Sequence, residues 1–145
     1  MIREATEDDI PRLVEMGERF WTETVYHDRI PVNPTQMAAT TAWLLAPDSN
    51  GTVFVSDHGG RLVGMIGVLY FTNPITGEPT VIELFWWVEP EHRGHGLRLL
   101  KRAEAWGRET GAHKLQMIAP TPEIAQLYER LGFDYLETAY QKAIA

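Results

Sequence analysis

Three stretches of this sequence carry residues whose types and spacing could do chemistry. In "VIELFWWV" (81–88) Glu83 is the only carboxylate within an apolar, aromatic run. Such a group points to solvent, pairs with an arginine on a neighbouring strand, or faces a cleft. In the last case desolvation raises its pKa and makes it a candidate general base. The second stretch, "EPEHRGHGLRLL" (89–100), sets Gly94 and Gly96 in a basic turn immediately before a helical pattern. The first backbone N–H groups of a helix are unpaired and the helix dipole makes that end positive. Glycines let a phosphate approach the backbone closely, and Arg93 adds charge. The turn reads either as a tight strand-to-helix connection or as a diphosphate cradle. It matches neither the dinucleotide fingerprint, since position 99 is Leu, nor the Walker loop. The third stretch, "WTETVYHDRIPVN" (21–33), offers Trp21, Glu23, Tyr26, His27 and Asn33. An aromatic and acidic set suits an ammonium-bearing ligand; the alternative is a loop that covers the core. His27 is a second candidate base.

Composition narrows the chemistry. The chain has no cysteine, which removes disulfides, thiolate metal sites and a cysteine nucleophile together, so any acyl transfer must be direct or use another nucleophile. None of the five histidines forms a helical HxxxH pair, and no metal site is expected. A net charge of −7 argues against a nucleic-acid partner and is compatible with a cationic substrate or simply with solubility. No apolar run is long enough to span a bilayer, and the charged opening "MIREATEDDIPRL" is not a secretory signal, so a cytoplasmic location is expected. Asn50 in "NGT" reads as a turn.

The elements that must position these residues follow from periodicity and punctuation. "MIREA" is strand-like; "TEDDIPRLVEMGERFW" has helix-start chemistry at Thr6 and an apolar side of Ile10, Leu13, Val14 and Phe20. "PTQMAATTAWLLA" predicts a second helix. "TVFVSD", "RLVGMIGVLYF" and "TVIELFWWV" predict three strands joined by turns at "HGG" and "NPITGEP". A helix from Gly96 to the Gly111 stop, a short strand "KLQMIA", and a helix capped by Thr121 and closed by Gly132 follow. "FDYLETAYQKAIA" predicts a final strand or hairpin. The whole, residues 1–145, reads as a single mixed α/β (α+β) domain in the order β-α-α-β-β-β-α-β-α-β.

In these surroundings "WVEPEHRGHGLRLL" resembles motif A of the GNAT superfamily of acyl-CoA-dependent N-acyltransferases, supplying Val88, Pro90, Glu91, Arg93, Gly94 and Gly96. The closing "IAQLYERLGF" resembles motif B, in which a helix carries a tyrosine and ends in Gly-Phe. The element order is similar to the family's over nearly the whole chain. One departure is Glu91, which stands where the family pattern has Gln or Arg.

The resemblance implies a mostly antiparallel central sheet with flanking helices, whose fourth and fifth strands splay around acetyl-CoA. It implies that the pantetheine arm lies along the backbone of Trp87 and Val88, with the diphosphate on Arg93, Gly94, His95, Gly96 and Leu97. It also implies Tyr128 as the acid that protonates the leaving thiolate, with Glu83 as the base, acting directly or through a water. A phenol ionises near ~10 and is a donor at neutral pH. The amine acceptor would be a small molecule or peptide, gripped by Tyr26, His27 and Asn33, and a homodimer is compatible with the family. A reading of another class is a non-catalytic module that binds or senses acyl-CoA without transfer; turnover separates the two.

Overall fold

The computed structural model describes residues 1–145. Its centre is one five-stranded sheet in the order β1-β2-β3-β4-β5. The strands are β1 (Ile2–Glu4), β2 (Gly51–His58), β3 (Arg61–Thr72), β4 (Pro79–Val88) and β5 (Lys114–Gln116). The first four pair antiparallel and β5 pairs parallel to β4. The helices are α1 (Ile10–Thr22), α2 (Pro34–Leu45), α3 (Gly96–Glu109) and α4 (Pro122–Arg130). No helix is long and apolar enough to cross a membrane.

Strand alternation sorts the core into two layers. Val53 and Val55 of β2 face α1 and α2, meeting Leu13, Met16 and Leu44 together with Met65, Phe85 and Trp87. The intervening Phe54 faces α3, with Ile66, Val68, Val81, Val88, Leu99 and Ala103. Leu13 and Met16 are completely enclosed, each worth about 2 kcal/mol of burial. Asp9 accepts the backbone N–H of Thr6 at 2.8 Å, which starts the first helical segment where the acidic cluster predicts. Asn33 caps α2, its Oδ1 accepting from Gln36 N at 3.0 Å, and Thr121 caps α4 through Ile124 N at 3.3 Å.

The end of β4 is anchored by an ion cluster. Glu89 is 2% exposed; its Oε1 accepts from Arg12 Nη2 at 2.9 Å and its Oε2 lies 2.5 Å from Arg19 Nη1. Arg12 also donates twice to the Leu62 carbonyl, so α1 is clamped to both β3 and β4 at one point.

One predicted element is missing. Residues 133–145 form neither helix nor strand, and Tyr135, Leu136, Tyr140 and Ile144 are exposed. The outer strand β5 is only three residues long and offers too short a template for a further strand. The apparent β pattern of the tail therefore meets no partner within the chain. The strand predicted over "KLQMIA" is cut to Lys114–Gln116 for a reason that defines the candidate site.

Arg12→Met leaves the buried Glu89 carboxylate short of its best partner and should cost about 3 kcal/mol in urea unfolding. A surface change such as Lys142→Met should cost less than about 0.5 kcal/mol.

Candidate active site

β4 and β5 share only three pairs, Thr80 with Lys114 through Ile82 with Gln116. Opposite β3, Phe85 faces Gly67 and Glu83 faces Val68, so Leu84 is the extra residue of a β-bulge. A bulge bends its strand, and beyond it β4 has no strand on its outer edge. Gly67 makes room for the bend: a Cβ there would lie 2.4 Å from the Phe85 ring. Between the diverging strands opens a cleft of about 490 Å³.

The main chain of Ile118, two residues past the end of β5, crosses this gap. Its N–H donates to Glu83 Oε2 at 3.1 Å, and its carbonyl accepts from the Tyr128 hydroxyl at 3.0 Å. The two expected catalytic residues are thus brought together through one backbone residue, and both line the cleft. Glu83 is 6% exposed. Burial pushes its pKa up to about 7, partly offset by the Ile118 N–H. Of the three orientations open at the sequence level, the structure shows the cleft-facing one.

Tyr128 is buried against Trp86, with ring centroids 6.0 Å apart and nearly parallel, and against Phe133 at 5.3 Å. Its pKa is raised by burial first, then by the negative charge of Glu83 and by Tyr26, so the phenol keeps its proton at neutral pH. Gly132 has φ +90, the left-handed conformation that ends α4 and lets Phe133 reach the tyrosine.

Trp86 and Trp87 point to opposite faces, as alternation requires. Trp87 joins the α1/α2 layer and touches Phe20 at 6.3 Å, whereas Trp86 packs beside α3. Both line the cleft, and neither indole N–H has an acceptor in the chain. The turn from Pro90 to His95 is a 3-10 segment kinked at His92 that leads directly into α3. A Cβ at Gly96 would sit 3.2 Å from Trp86, so glycine permits this approach of helix to strand. Gly94 has open space around it. Arg93 lies 5.0 Å above the Trp87 ring and donates Nε to the Val88 carbonyl at 3.0 Å. Val88, Arg93, Gly96 and Leu97 line the cleft. The His95 side chain turns away to Ser56, at 2.9 Å.

On the far side Tyr26 stacks on Trp21 with centroids 4.8 Å apart, and both line the cleft. Trp21 donates to the Ile30 carbonyl at 2.6 Å, which folds the 23–30 segment back over α1. His27 and Asn33 do not line the cleft. His27 is bound to Thr24 O and Asp28, and Asn33 is occupied as the α2 cap. The cleft adds residues the sequence did not single out, chiefly Ile118, Leu84 and Glu123. Ile118 acts through its main chain, for which its identity gives no signal.

A family model described as "Acetyltransferase (GNAT) family" matches residues 12–133. No curated protein matches the sequence significantly. Among solved structures, a transcriptional regulator from Bacillus halodurans C-125 superposes with a TM-score of 0.82 at 23% identity, covering 99% of each chain. A predicted acetyltransferase from Clostridium acetobutylicum, solved with acetyl-CoA, gives 0.83 at 17% identity over 99% of this chain and 96% of that one. An aminoglycoside N-acetyltransferase in complex with CoA gives 0.78 at 18% identity over 100% and 95%.

Glu83 ties stability to pH. Its folded pKa of about 7 lies above the ordinary 4.5, so between those values the folded state holds a proton the unfolded chain has lost. Stability falls as pH rises through that window. Glu83→Gln should therefore remove on the order of 2 kcal/mol from the stability difference between about pH 5 and about pH 8, measured by urea unfolding. An unchanged difference would mean that Glu83 is not desolvated.

Proposed function

The chain belongs to the GNAT family of acetyltransferases, and on that premise we propose that it transfers an acetyl group from acetyl-CoA to a primary amine of a small molecule or peptide. It would act as a single domain in the cytoplasm, by direct attack of the amine on the thioester. The observation that carries this reading is the cleft between β4 and β5, with Glu83 and Tyr128 tied to the same backbone residue inside it.

The residues fit acetyl-CoA. The outer edge of β4 beyond Ile82 is without a strand partner, so Trp87 and Val88 can offer backbone groups to the pantetheine arm. The indole donors of Trp86 and Trp87 lack acceptors. Open space at Gly94 lets a diphosphate approach the turn at the start of α3, where the Gly96 N–H already donates to the Arg93 carbonyl.

Glu83, ionised, takes a proton from the attacking amine, directly or through one water; a carboxylate with a pKa near 7 is matched to that task at neutral pH. Tyr128, whose O–H is held by the Ile118 carbonyl in the free chain, would turn that hydrogen to the departing sulfur and protonate it. Its raised pKa makes it a reluctant acid, so it holds the proton until negative charge has accumulated on the sulfur. The cleft lining also carries Glu23 and Glu123 against the single cation Arg93, and Trp21 stacked on Tyr26. This acidic and aromatic wall favours an ammonium-bearing acceptor. Tyr26 is the substrate contact on this reading, with His27 and Asn33 bracing the segment that presents it.

Acetyl-CoA at one hundred times its Kd should stabilise the chain by about 2.7 kcal/mol, a rise in Tm of about 9 °C. With a panel of amines, thiol release should follow. The Tyr128→Phe variant should keep the thermal shift and lose about 10²-fold in kcat. A shift without thiol release from any amine would favour the binding module instead. The rate should also climb with pH on a limb centred near 7, and that limb should vanish in Glu83→Gln.

A further inference from the structure

The spacing of the histidines in the sequence spells no metal motif, yet the fold collects three of the five. His58 ends β2, and His92 and His95 come from the turn before α3. The ring centroids form a closed triangle: 5.2 Å between His58 and His92, 5.9 Å between His58 and His95, and 5.6 Å between His92 and His95. One ring nitrogen of each lies within 4.8 Å of those of the other two. None of the three lines the cleft, although His92 and His95 share the turn proposed to receive the diphosphate.

We propose that His58, His92 and His95 form a binding site for a divalent transition-metal ion, of the zinc, cobalt or nickel class. Imidazole nitrogens suit these ions, and the absence of a carboxylate from the set disfavours magnesium and calcium. Metal–nitrogen bonds of about 2.0–2.1 Å require ligand atoms about 3.4 Å apart in a tetrahedral site, so the triangle has to contract. His58 is exposed at the end of β2, where its side chain has room to reorient.

The neighbouring groups support the assignment. His95 Nδ1 lies 2.9 Å from the hydroxyl of Ser56, which is completely buried and fixed in β2. With the hydrogen on Nδ1, that bond orients the ring and leaves Nε2 for the ion, the arrangement by which a second residue commonly holds a metal-binding histidine. Three protein ligands leave a position open for water or an exogenous anion. Because two ligands lie in the turn and the third in β2, binding would cross-link the sheet to the start of α3.

The test is equilibrium dialysis of the chain, without a polyhistidine tag or acetyl-CoA, against zinc chloride, with cobalt chloride as the spectroscopic probe. The expected result is one saturable equivalent, a visible cobalt absorption band and a raised Tm. His58→Ala should bind at least about tenfold more weakly and lose the band, whereas His113→Ala, outside the cluster, should match the parent. His92→Gln provides a second disruption if His58→Ala does not fold. No saturable binding up to about 1 mM metal, or equal binding in parent and cluster variants, would overturn the proposal. Neither result depends on acetyl transfer.

Discussion

A parallel strand that parts from its neighbour strands two rows of backbone donors and acceptors, and buried ones are expensive to leave unpaired. Here the parting occurs after Gln116, and Ile118 meets the cost with side chains in place of a ladder: Glu83 takes its N–H and Tyr128 gives to its carbonyl. The cleft exists because these two bonds replace strand pairing. They also explain why a carboxylate and a phenol, distant in sequence, are oriented toward the same space.

The rest of the fold supplies the conditions for that arrangement. The bulge at Leu84 and the absence of a side chain at Gly67 turn β4 outward. The ion cluster of Glu89 with Arg12 and Arg19 then pins the far end of β4 to α1, so that the turn leading into α3 starts from a fixed point. Desolvation in the cleft raises the pKa of Glu83 to about 7 and raises that of Tyr128 above its ordinary value, so at neutral pH the phenol is protonated and the carboxyl is near its midpoint.

Much of this was legible in the sequence because it is written in local signals. Strand alternation, the Thr121 cap, and the glycines at 94, 96 and 132 each mark their own element, and the order of two motifs identified the family. Glu83 and Tyr128 stood out as a lone carboxylate in an apolar run and as a motif tyrosine. What was illegible depends on contacts distant in sequence. The bulge, the buried Glu89 cluster and the meeting of three histidines require tertiary placement, and Ile118 contributes only main-chain atoms. Asn33 stands next to Pro34, a capping position, and its Oδ1 is occupied as the α2 cap. The expected final strand or hairpin finds no sheet edge long enough to receive it, since β5 is only three residues long.

The most direct test of the Ile118 tie is an amide NMR titration. An N–H bonded to a carboxylate follows the ionisation of that carboxylate, so the Ile118 amide resonance should move with pH and show a midpoint near 7. An Ile118 amide that does not move, or that moves with the midpoint of an ordinary exposed glutamate near 4.5, would contradict the arrangement on which the cleft depends.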